Sequence, residues 1–360
     1  MTFPISPLSK AWRARHYPDT TDSQWSDWRW QTRMALSTGS ELATYFSSTV
    51  PMRLPPYMAA MADNCPALAR AYVPDTTEEA IMVEGESTDA LGEATHSPVP
   101  GLIHRYPDRV VLLATGFCPG HCRYCNRPIR GVEHPCPGSR IAALDYIRDH
   151  SEIRDVLISG GDPLSLPDAT LDSLLGEIRA IDHVEFLRIG TKIPAMLPMR
   201  VTTGLIRVLR RHKPWLSLHF IHPNELAEET AFACNRLADA GLPLGGHTPL
   251  LKTVNDSAET LKTLFHGMLR LRVRPYYLFH CDQVAGASRF RTPVQTGIDM
   301  IESLRGHTSG YAVPTYAVDP PDGTGKIALA PKTMLGRDDN DLLLVNYEGR
   351  TIRYHDPVTL

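Results

Sequence analysis

Three cysteines stand close together in the stretch TGFCPGHCRYCNRPIR, which runs from residue 115 to residue 130. Cys118, Cys122 and Cys125 form a C-x₃-C-x₂-C pattern, and Arg127 and Arg130 follow the last thiol within five residues. Three thiolates can hold a four-iron cluster and leave one iron open to a small molecule that carries amino and carboxylate groups. The spacing therefore predicts an iron–sulfur cluster beside fixed positive charge.

A structural zinc ion is the alternative for these thiols, because His121 or His134 could supply the fourth ligand that such a site needs. The chain has seven cysteines, an odd number. Clustered thiols in such a chain are typical of metal or redox sites of reducing compartments, so no disulfide framework is expected. The spacing assigns no role to the others, which are Cys65, Cys136, Cys234 and Cys281.

Further polar and glycine residues follow apolar, strand-like runs. Gly160 and Gly161 end the run DVLISGG, where glycine allows the backbone to approach a ligand closely. Asp282 follows RPYYLFH, Asp319 ends YAVPTYAVD, and Lys326 stands behind two glycines in DGTGK. Taken singly, an aspartate at a strand end is often a turn cap and a lysine is often a solvated charge. Active sites of α/β barrels form at the carboxyl ends of the strands, where these residues would meet.

Strand-like and helical runs alternate through the middle of the chain. Helices are predicted near residues 140–150, 168–180, 202–212 and 293–305. The alternation predicts a parallel sheet that is closed or partly closed into a barrel. The predicted strands are VVLLAT, DVLISG, EFLRIGT, LSLHFI, PLGGHTPLL, RPYYLFH and YAVPTYAVD.

The chain before this core has helical periodicity. A helix is predicted from about residue 25 to residue 46, and further short helices to about residue 80. The polar passage VEGESTDALGEATHSPVPG then separates this region from the core, and DLLLVNYEGRTIRYHDP near the end predicts a small β appendage. We therefore divide the chain into a helical region (1–100), a barrel core (101–318) and a C-terminal segment with Lys326 (319–360).

Charge and hydropathy exclude several classes of partner. The chain has 37 Lys and Arg residues against 40 Asp and Glu residues, without a long run of either sign, so no nucleic-acid partner is expected. No stretch approaches the roughly 20 apolar residues of a membrane span, and the N-terminus lacks the apolar core of a secretory signal. These features predict a cytoplasmic protein without a membrane partner.

Several motifs resemble known proteins. The cysteine spacing, with Tyr124 before the last thiol, resembles that of radical S-adenosyl-L-methionine (SAM) enzymes. Longer motifs resemble the lysine 2,3-aminomutase family over nearly all of residues 20–355. The main ones are HSPVPGLIHRYPDRVVLL, DVLISGGDPLSL, LRIGTKIPAMLPMRVT, HFIHPNEL, LADAGLPLGGHTPLLKTVND, RPYYLFHCD and GTGKIALAP.

This resemblance implies an α/β fold: a partial (βα)6-type radical SAM barrel with an N-terminal helical region and a short C-terminal extension. It implies an isomerase that uses a 4Fe-4S cluster, SAM and pyridoxal 5′-phosphate (PLP) and needs an external electron donor. The reaction would convert an L-α-amino acid to the β-amino acid by 1,2-amino migration. Lysine is the expected substrate; arginine or another basic amino acid of a natural-product pathway is the alternative.

The resemblance also implies roles for single residues. The three clustered cysteines would hold the cluster, and Lys326 matches the lysine that carries PLP. The PLP phosphate would lie near Arg105, Tyr106 and Arg109, although a surface ion pair of an arginine with Asp108 is the ordinary alternative. The candidate SAM contacts are Ser159, Gly160, Gly161, Asp162, His219, His222 and Asn224. An Asp-Pro turn could explain Asp162 alone, and strand-end histidines are often structural.

Three residues match the family's substrate contacts. Arg127 would hold the substrate carboxylate, because a guanidinium binds a carboxylate through two parallel hydrogen bonds. Asp282 and Asp319 match the pair that holds the distal ammonium. Two carboxylates around one cation favour lysine or arginine and penalise glutamate, since an unpaired buried charge costs several kcal/mol.

Some positions depart from the family. Its lysine enzymes usually end in a cysteine-rich tail that clamps subunits through zinc. Cys234 matches an isolated ligand of that clamp, but no cysteine follows Cys281. We therefore expect no zinc clamp, an ordinary buried thiol at Cys234, and other contacts in any homo-oligomer. His247 and Met199 replace amide side chains, and Pro128 interrupts the usual arginine run; these changes bear on substrate choice.

Overall fold

The computed structural model describes residues 3–37, 52–127, 137–321 and 323–357. In the first of these ranges and the start of the second, short helices surround one pair of antiparallel two-residue strands. The helices are α1 (Pro7–His16), α2 (Asp22–Trp25), α3 (Trp28–Arg33), α4 (Pro56–Asp63), α5 (Pro66–Tyr72) and α6 (Thr76–Glu79), and the strands are β1 (Leu36–Ser37) and β2 (Arg53–Leu54).

The prediction of one continuous helix from residue 25 to residue 46 is wrong, although helix α3 lies within this range. Helix α2 ends at Trp25, and α3 begins at Trp28. The intervening Asp27 accepts a hydrogen bond from the backbone N–H of Arg29 and so starts a new helix as its N-cap. Strand β1 follows at Leu36, and residues 38–46 lie outside the described ranges. The apolar residues do have helical spacing, but the polar residue Asp27 interrupts the helix and sets its boundaries.

The core is a nine-stranded sheet with helices on its outer face. Its order is β11-β10-β9-β8-β7-β6-β5-β4-β3, and β4 to β10 run parallel. The strands are β3 (Leu102–Tyr106), β4 (Arg109–Thr115), β5 (Asp155–Gly160), β6 (Phe186–Thr191), β7 (Trp215–His219), β8 (Leu244–Leu250), β9 (Arg274–His280), β10 (Thr315–Val318) and β11 (Ile327–Leu329). The connecting helices are α7 (Pro137–Asp149), α8 (Asp168–Arg179), α9 (Ile193–Met196), α10 (Thr203–His212), α11 (Glu228–Asp239), α12 (Ala258–Arg270) and α13 (Val294–Leu304). The predicted partial barrel is confirmed.

Local sequence explains how these elements begin and pack. Thr202 and Ser257 accept hydrogen bonds from the third backbone N–H of α10 and α12, so each caps its helix. Along β5, buried Val156 and Ile158 alternate with partly exposed neighbours, as expected for a strand with two different faces. One face packs into the helix layer, and the other is left for the barrel interior.

The sheet is open between its two antiparallel edge strands, β3 and β11. Side chains bridge this opening: the backbone N–H of Lys326, next to β11, donates to the hydroxyl of Tyr106 in β3 at 2.8 Å. Arg105 in the same strand faces Asp319 across the gap. The barrel is therefore closed on this side by polar side-chain contacts instead of a strand ladder.

A second hydrophobic core joins the N-terminal helices to the carboxyl ends of the barrel strands. It contains Trp25, Tyr57 and Tyr72 from the helical region together with Tyr124 and Phe290 from barrel loops. The helical region thus covers the end of the barrel where the predicted site residues lie.

The predicted β appendage is present as a three-stranded antiparallel sheet, formed by β12 (Met334–Asp338), β13 (Asp341–Val345) and β14 (Thr351–His355). The division at residues 100 and 318 stays a prediction. Within the described ranges, no helix has the length and apolar character needed to cross a membrane.

Candidate active site

A cavity of about 550 Å³ lies at the carboxyl ends of the barrel strands. This volume is in the range of small-molecule sites, roughly 300–1,000 Å³. Most of the predicted site residues border it: Arg105, Tyr106, Arg109, Cys118, Cys122, Cys125, Arg127, Ser159, Gly160, Gly161, Asp162, His219, Asp282, Asp319 and Lys326. Parallel strands bring residues that are far apart in sequence to one end of the sheet.

The three clustered thiols share one wall of this cavity. Burial raises the pKa of Cys118 and Cys125 above the ordinary thiol value and that of Cys122 to about 12. The positive charges of Arg127, beside Cys118 and Cys125, and of Lys192, beside Cys122, act in the opposite direction. Buried thiols next to cations are suited to bind a metal cluster as thiolates.

Within the described ranges, no three His, Cys, Asp or Glu side chains are arranged to hold a single metal ion. His121 belongs to those ranges and donates its backbone N–H to Arg53 O at 2.8 Å. His134, Arg130 and Cys136 lie outside them. The three thiols, their cationic neighbours and the adjoining cavity fit a cluster with one open iron.

Gly160, the last residue of β5, and Gly161, which follows it, allow the cysteine loop to pack against the sheet. A Cβ on Gly161 would lie 2.2 Å from Phe117 O, and one on Gly160 would lie 2.3 Å from Thr115 O. Gly160 also has a φ of +124°, which other residues rarely adopt. The close approach that these glycines permit is therefore to the backbone of residues 115–117, beside the thiols.

Asp162 has its hydrogen bonds within the protein. Its carboxylate accepts from Thr191 Oγ1 at 2.7 Å, from Lys192 N at 2.7 Å and from Leu164 N at 3.1 Å. Burial raises the pKa of Asp162 to about 6, although these hydrogen bonds oppose the shift. The residue ties the end of β5 to the end of β6, and its assignment as a SAM contact stays a prediction.

Lys326 lies where the two sheet edges meet. Its Nζ is 3.2 Å from Asp319 Oδ2, and Arg105 Nη1 is 3.6 Å from Asp319 Oδ1. Gly325 has a φ of +106° and would place a Cβ 3.0 Å from the Tyr106 ring, so the chain can pass this ring because residue 325 is glycine. An accessible amine beside a guanidinium and a phenol fits the aldehyde and phosphate of PLP.

Arg109 forms the surface ion pair with Asp108 that the sequence offered as an alternative to a phosphate contact. Its Nη1 lies 3.0 Å from Asp108 Oδ1, with both side chains substantially exposed. Its guanidinium also lies 3.9 Å from the centre of the Tyr106 ring, at the edge of the cavity. Both the ion pair and the predicted phosphate contact are compatible with this position.

Asp282 is a buried carboxyl group beside a second one. Burial, and then the negative charge of Asp319, raise the pKa of Asp282 to about 7. A hydrogen bond from Asn126 and the charges of Lys326 and Arg127 act against this shift. A group whose charge is disfavoured to this extent is suited to receive a cation from a ligand.

Sequence reasoning missed Glu93. Its carboxylate forms a bidentate ion pair with Arg127, with a shortest contact of 2.6 Å to Nη2. It lies in residues 85–97, which we call the strap and which the sequence had assigned as a separating passage. In the sequence, Glu93 is one acidic residue in a polar segment. Such a residue cannot be distinguished by its local pattern from a glutamate that faces solvent.

The strap contacts strand β3 and two barrel loops, all of which carry predicted site residues. Ser87 pairs with Val284 in a parallel bridge, next to the loop that carries Asp282. Leu91 O accepts a hydrogen bond from Arg105. A Cβ on Gly323 would lie 2.6 Å from the His96 ring, so the strap also packs against the Lys326 loop.

The predicted histidines have different positions. His219 borders the cavity, where its Nε2 lies 3.4 Å from the Tyr124 hydroxyl, and burial lowers its pKa well below the ordinary value. His222 accepts from the backbone N–H of Asn224 in a short turn, and its ring lies 3.8 Å from Cys65 Sγ. Neither His222 nor Asn224 borders the cavity, so the geometry gives their assignment as SAM contacts no support.

His247 and Met199, which depart from the family pattern, and Cys234, which matches a zinc ligand of the family, lie at three different places. His247 borders the cavity beside His219, and burial lowers its pKa to about 4. Among the described residues, its buried Nε2 has no hydrogen-bond partner. Met199 lies in the core between the helical region and the barrel. Cys234 is fully buried in α11, in the barrel core.

Known proteins are similar to this chain along nearly its entire length. A family model described as lysine-2,3-aminomutase matches residues 301–360. The L-lysine 2,3-aminomutase of Clostridium subterminale is 42% identical over 363 residues, which cover 95% of this chain and 87% of that protein. The enzyme of the same name from Bacillus subtilis is 41% identical and covers 95% of this chain and 76% of its own length.

A relative with a different printed substrate is also similar. The glutamate 2,3-aminomutase of Clostridioides difficile is 32% identical over 357 residues, which cover 93% of this chain and 84% of that protein. Relatives of these identities share one reaction class and extend across both the N-terminal region and the barrel. The chain is an aminomutase, an isomerase, and it belongs to the lysine 2,3-aminomutase family.

Proposed function

We propose that this aminomutase acts on L-lysine and moves its α-amino group to C3, with the help of a 4Fe-4S cluster, SAM and PLP. The observation that carries the substrate is the buried pair Asp282 and Asp319. Asp319 Oδ2 already lies 3.2 Å from an alkylammonium, the Nζ of Lys326. The lysine side chain ends in the same group, so this carboxylate pair has the charge and the environment to receive it.

The residues that would hold the cofactors border one cavity. Cys118, Cys122 and Cys125 would hold the cluster, with SAM beside the Ser159–Gly161 turn. Lys326 would carry PLP, with Arg105, Tyr106 and Arg109 near its phosphate. When bound, these groups supply a radical that removes hydrogen from C3 and an imine that allows nitrogen to migrate. An external donor must supply the electron that starts the reaction.

The protein itself orients the substrate. Arg127 would bind the α-carboxylate, while Asp282 and Asp319 hold the distal ammonium. Fixing both charged ends leaves the carbon chain between them in one direction, with C2 and C3 towards the cofactors. The N-terminal helices pack against the barrel loops at this end of the strands, which would limit the access of bulk water to a reactive intermediate.

The same charges argue against glutamate. Its side-chain carboxylate would meet Asp282 and Asp319, and like charges in a buried site repel strongly. Arginine remains the alternative substrate, because its guanidinium could also pair with two carboxylates. A compact ammonium suits a pair of which one member, Asp319, already pairs with Lys326 Nζ, and this favours lysine.

The test is a substrate panel under anaerobic conditions. Enzyme reconstituted with iron and sulfide is mixed with SAM, PLP, a reductant and one of lysine, arginine, glutamate or alanine, and β-amino acids are identified by mass spectrometry. Lysine should give the largest amount of β-amino acid, and Cys118→Ala should give none. Efficient conversion of glutamate or alanine, with none of lysine or arginine, would contradict the proposal.

A further inference from the structure

Glu93 holds Arg127 by one edge of its guanidinium. Glu93 Oε2 accepts from Nε at 2.9 Å, and Oε1 accepts from Nη2 at 2.6 Å. Nη1 donates to Ser159 Oγ at 3.0 Å. A guanidinium has five N–H donors, so one further hydrogen on each of Nη1 and Nη2 remains. Among the described residues these two have no acceptor, and Arg127 borders the cavity.

Because Glu93 occupies the Nε–Nη2 edge, the edge of the guanidinium that can still present two parallel N–H groups to a carboxylate is its Nη1–Nη2 end. Glu93 and Ser159 fix the plane of the guanidinium from two sides. The arginine is therefore held in one orientation by contacts on both sides.

Hydrogen bonds also hold the backbone around Glu93 in place. Asp89 accepts from the backbone N–H of Glu93 at 2.8 Å and from that of Ala94 at 3.0 Å. Ser97 Oγ donates to Glu93 O at 2.8 Å. The backbone that carries Glu93 is therefore bonded on both sides of the residue, which keeps its carboxylate within reach of Arg127 Nε and Nη2.

We propose that Glu93 is a positioning residue for substrate binding: it holds Arg127 by the Nε–Nη2 edge and so presents the Nη1–Nη2 end to the substrate α-carboxylate. The inference rests on the proposed function, because it requires that Arg127 binds that carboxylate. Through Glu93, the strap would contribute to substrate recognition. The contribution of Glu93 to binding should therefore disappear when either Arg127 or the substrate α-carboxylate is removed.

The experiment measures equilibrium binding without turnover. Holoenzyme with cluster, SAM and PLP, kept oxidised so that it cannot react, is titrated with L-lysine and with cadaverine, which lacks the carboxylate; the change in PLP absorbance gives Kd. Glu93→Gln should weaken lysine binding by roughly tenfold, which corresponds to about 1.4 kcal/mol. Because cadaverine has no carboxylate for Arg127 to bind, its Kd should change by less than about twofold in Glu93→Gln. In an Arg127→Gln background, Glu93→Gln should add no further loss.

Two variants protect the test against simple unfolding. Glu93→Asp retains the charge but is shorter by one methylene, and it should also weaken lysine binding while the melting temperature stays unchanged. Glu86→Gln is the matched control on the strap, since Glu86 accepts from the backbone N–H of Val83 and does not contact Arg127. It should leave the Kd for lysine unchanged.

The following results would overturn the inference. Tighter or unchanged lysine binding by Glu93→Gln would show that Glu93 competes with the substrate or has no part in binding it. Equal losses for lysine and cadaverine, or additive losses with Arg127→Gln, would show a general structural role. If the wild-type holoenzyme gave no saturable response to lysine, the proposed substrate itself would fail, and the inference with it.

Discussion

Two lysines border the cavity, and their neighbours give them different chemistry. Lys192 is nearly buried, with its Nζ 2.9 Å from Glu225 and 3.3 Å from His219 O. The side chain of Lys326 is 34% exposed and lies on the glycine-containing loop. An amine that must attack a carbonyl and later be displaced needs this access.

Lys326 should therefore carry PLP. Borohydride reduction of the PLP-loaded enzyme, followed by peptide mapping, should place the pyridoxyl label on Lys326. Lys192 serves as the internal control, since it shares the cavity but is engaged by Glu225. Label on Lys192 with none on Lys326 would show that the role had been assigned to the wrong residue.

The three cavity thiols should be distinguishable from the other buried thiols by iron content. Replacing Cys118, Cys122 or Cys125 by alanine should remove most of the reconstituted iron and abolish SAM cleavage, because three thiolates are needed to hold the cluster. Cys65→Ala is the matched control, since Cys65 is buried but does not border the cavity. Iron analysis and the visible absorbance of the cluster measure the result. Retained SAM cleavage in the triple variant would contradict the cluster assignment.

The raised pKa of Asp282, about 7, should appear in the pH profile. The ammonium of lysine, with a pKa of about 10.4, is protonated throughout the working range, so binding requires Asp282 to lose its proton. kcat/KM for lysine should therefore rise by roughly tenfold per pH unit below this pKa and level off above it.

Asp282→Asn removes the titrating group. The variant should lower kcat/KM by at least about tenfold, the scale of a lost buried charge pair, and abolish this inflection. Asp239→Asn is the control, because Asp239 forms an exposed ion pair with Arg272. It should retain both the kcat/KM for lysine and the inflection of the pH profile. An unchanged pH profile in Asp282→Asn would show that another group causes the inflection.

The turn after β5 and the cysteine loop are packed backbone to backbone, so they depend on each other. Gly161→Ala would place a Cβ 2.2 Å from Phe117 O, and neither backbone can move without its neighbour. Overpacking of this kind costs about 1–3 kcal/mol, and the cysteine loop should be displaced. We expect a lower melting temperature and a several-fold loss of reconstituted iron.

Gly310→Ala is the control for this substitution, because nothing lies within 4 Å of the Cβ it would add. It should leave both iron content and melting temperature unchanged. If Gly161→Ala behaved in the same way, the cysteine loop would not depend on the β5 turn as the packing indicates.

The N-terminal helices and the barrel loops form one structure through their common core. Trp25 is fully buried there and packs near Trp12 and Trp30, with ring centres 6.2 Å and 5.8 Å away. Trp25→Ala would leave a large cavity and should lower the free energy of unfolding by about 3–5 kcal/mol. Urea denaturation followed by circular dichroism measures this.

Trp215 provides the comparison, since it is 55% exposed. Trp215→Ala should change the free energy of unfolding by about 0.5 kcal/mol or less, as is usual at the surface. Equal losses for the two tryptophans would show that the shared core contributes little to stability.

Features that depend on neighbouring residues could be predicted from sequence. The cysteine triad lies within one loop, so its spacing alone restricts what the thiols can bind. Alternating apolar strands and helices predicted the parallel sheet, and its topology brings Asp282, Asp319 and Lys326 to one end. The helix boundaries at residues 25–28 failed, because a single capping side chain outweighed an otherwise continuous apolar pattern.

Features that depend on distant residues were decided by the tertiary structure. Glu93 and Arg127 are 34 residues apart, and Tyr106 and Lys326 are 220 apart. His222 and Asn224 follow the same strand as His219, but they form the start of a short helix and do not border the cavity. A polar residue has the same local pattern whether it faces solvent or a buried partner. The sequence by itself determined the barrel and the thiols that face its cavity; the folded chain decided which polar side chains meet there, because only folding brings their partners within hydrogen-bond distance.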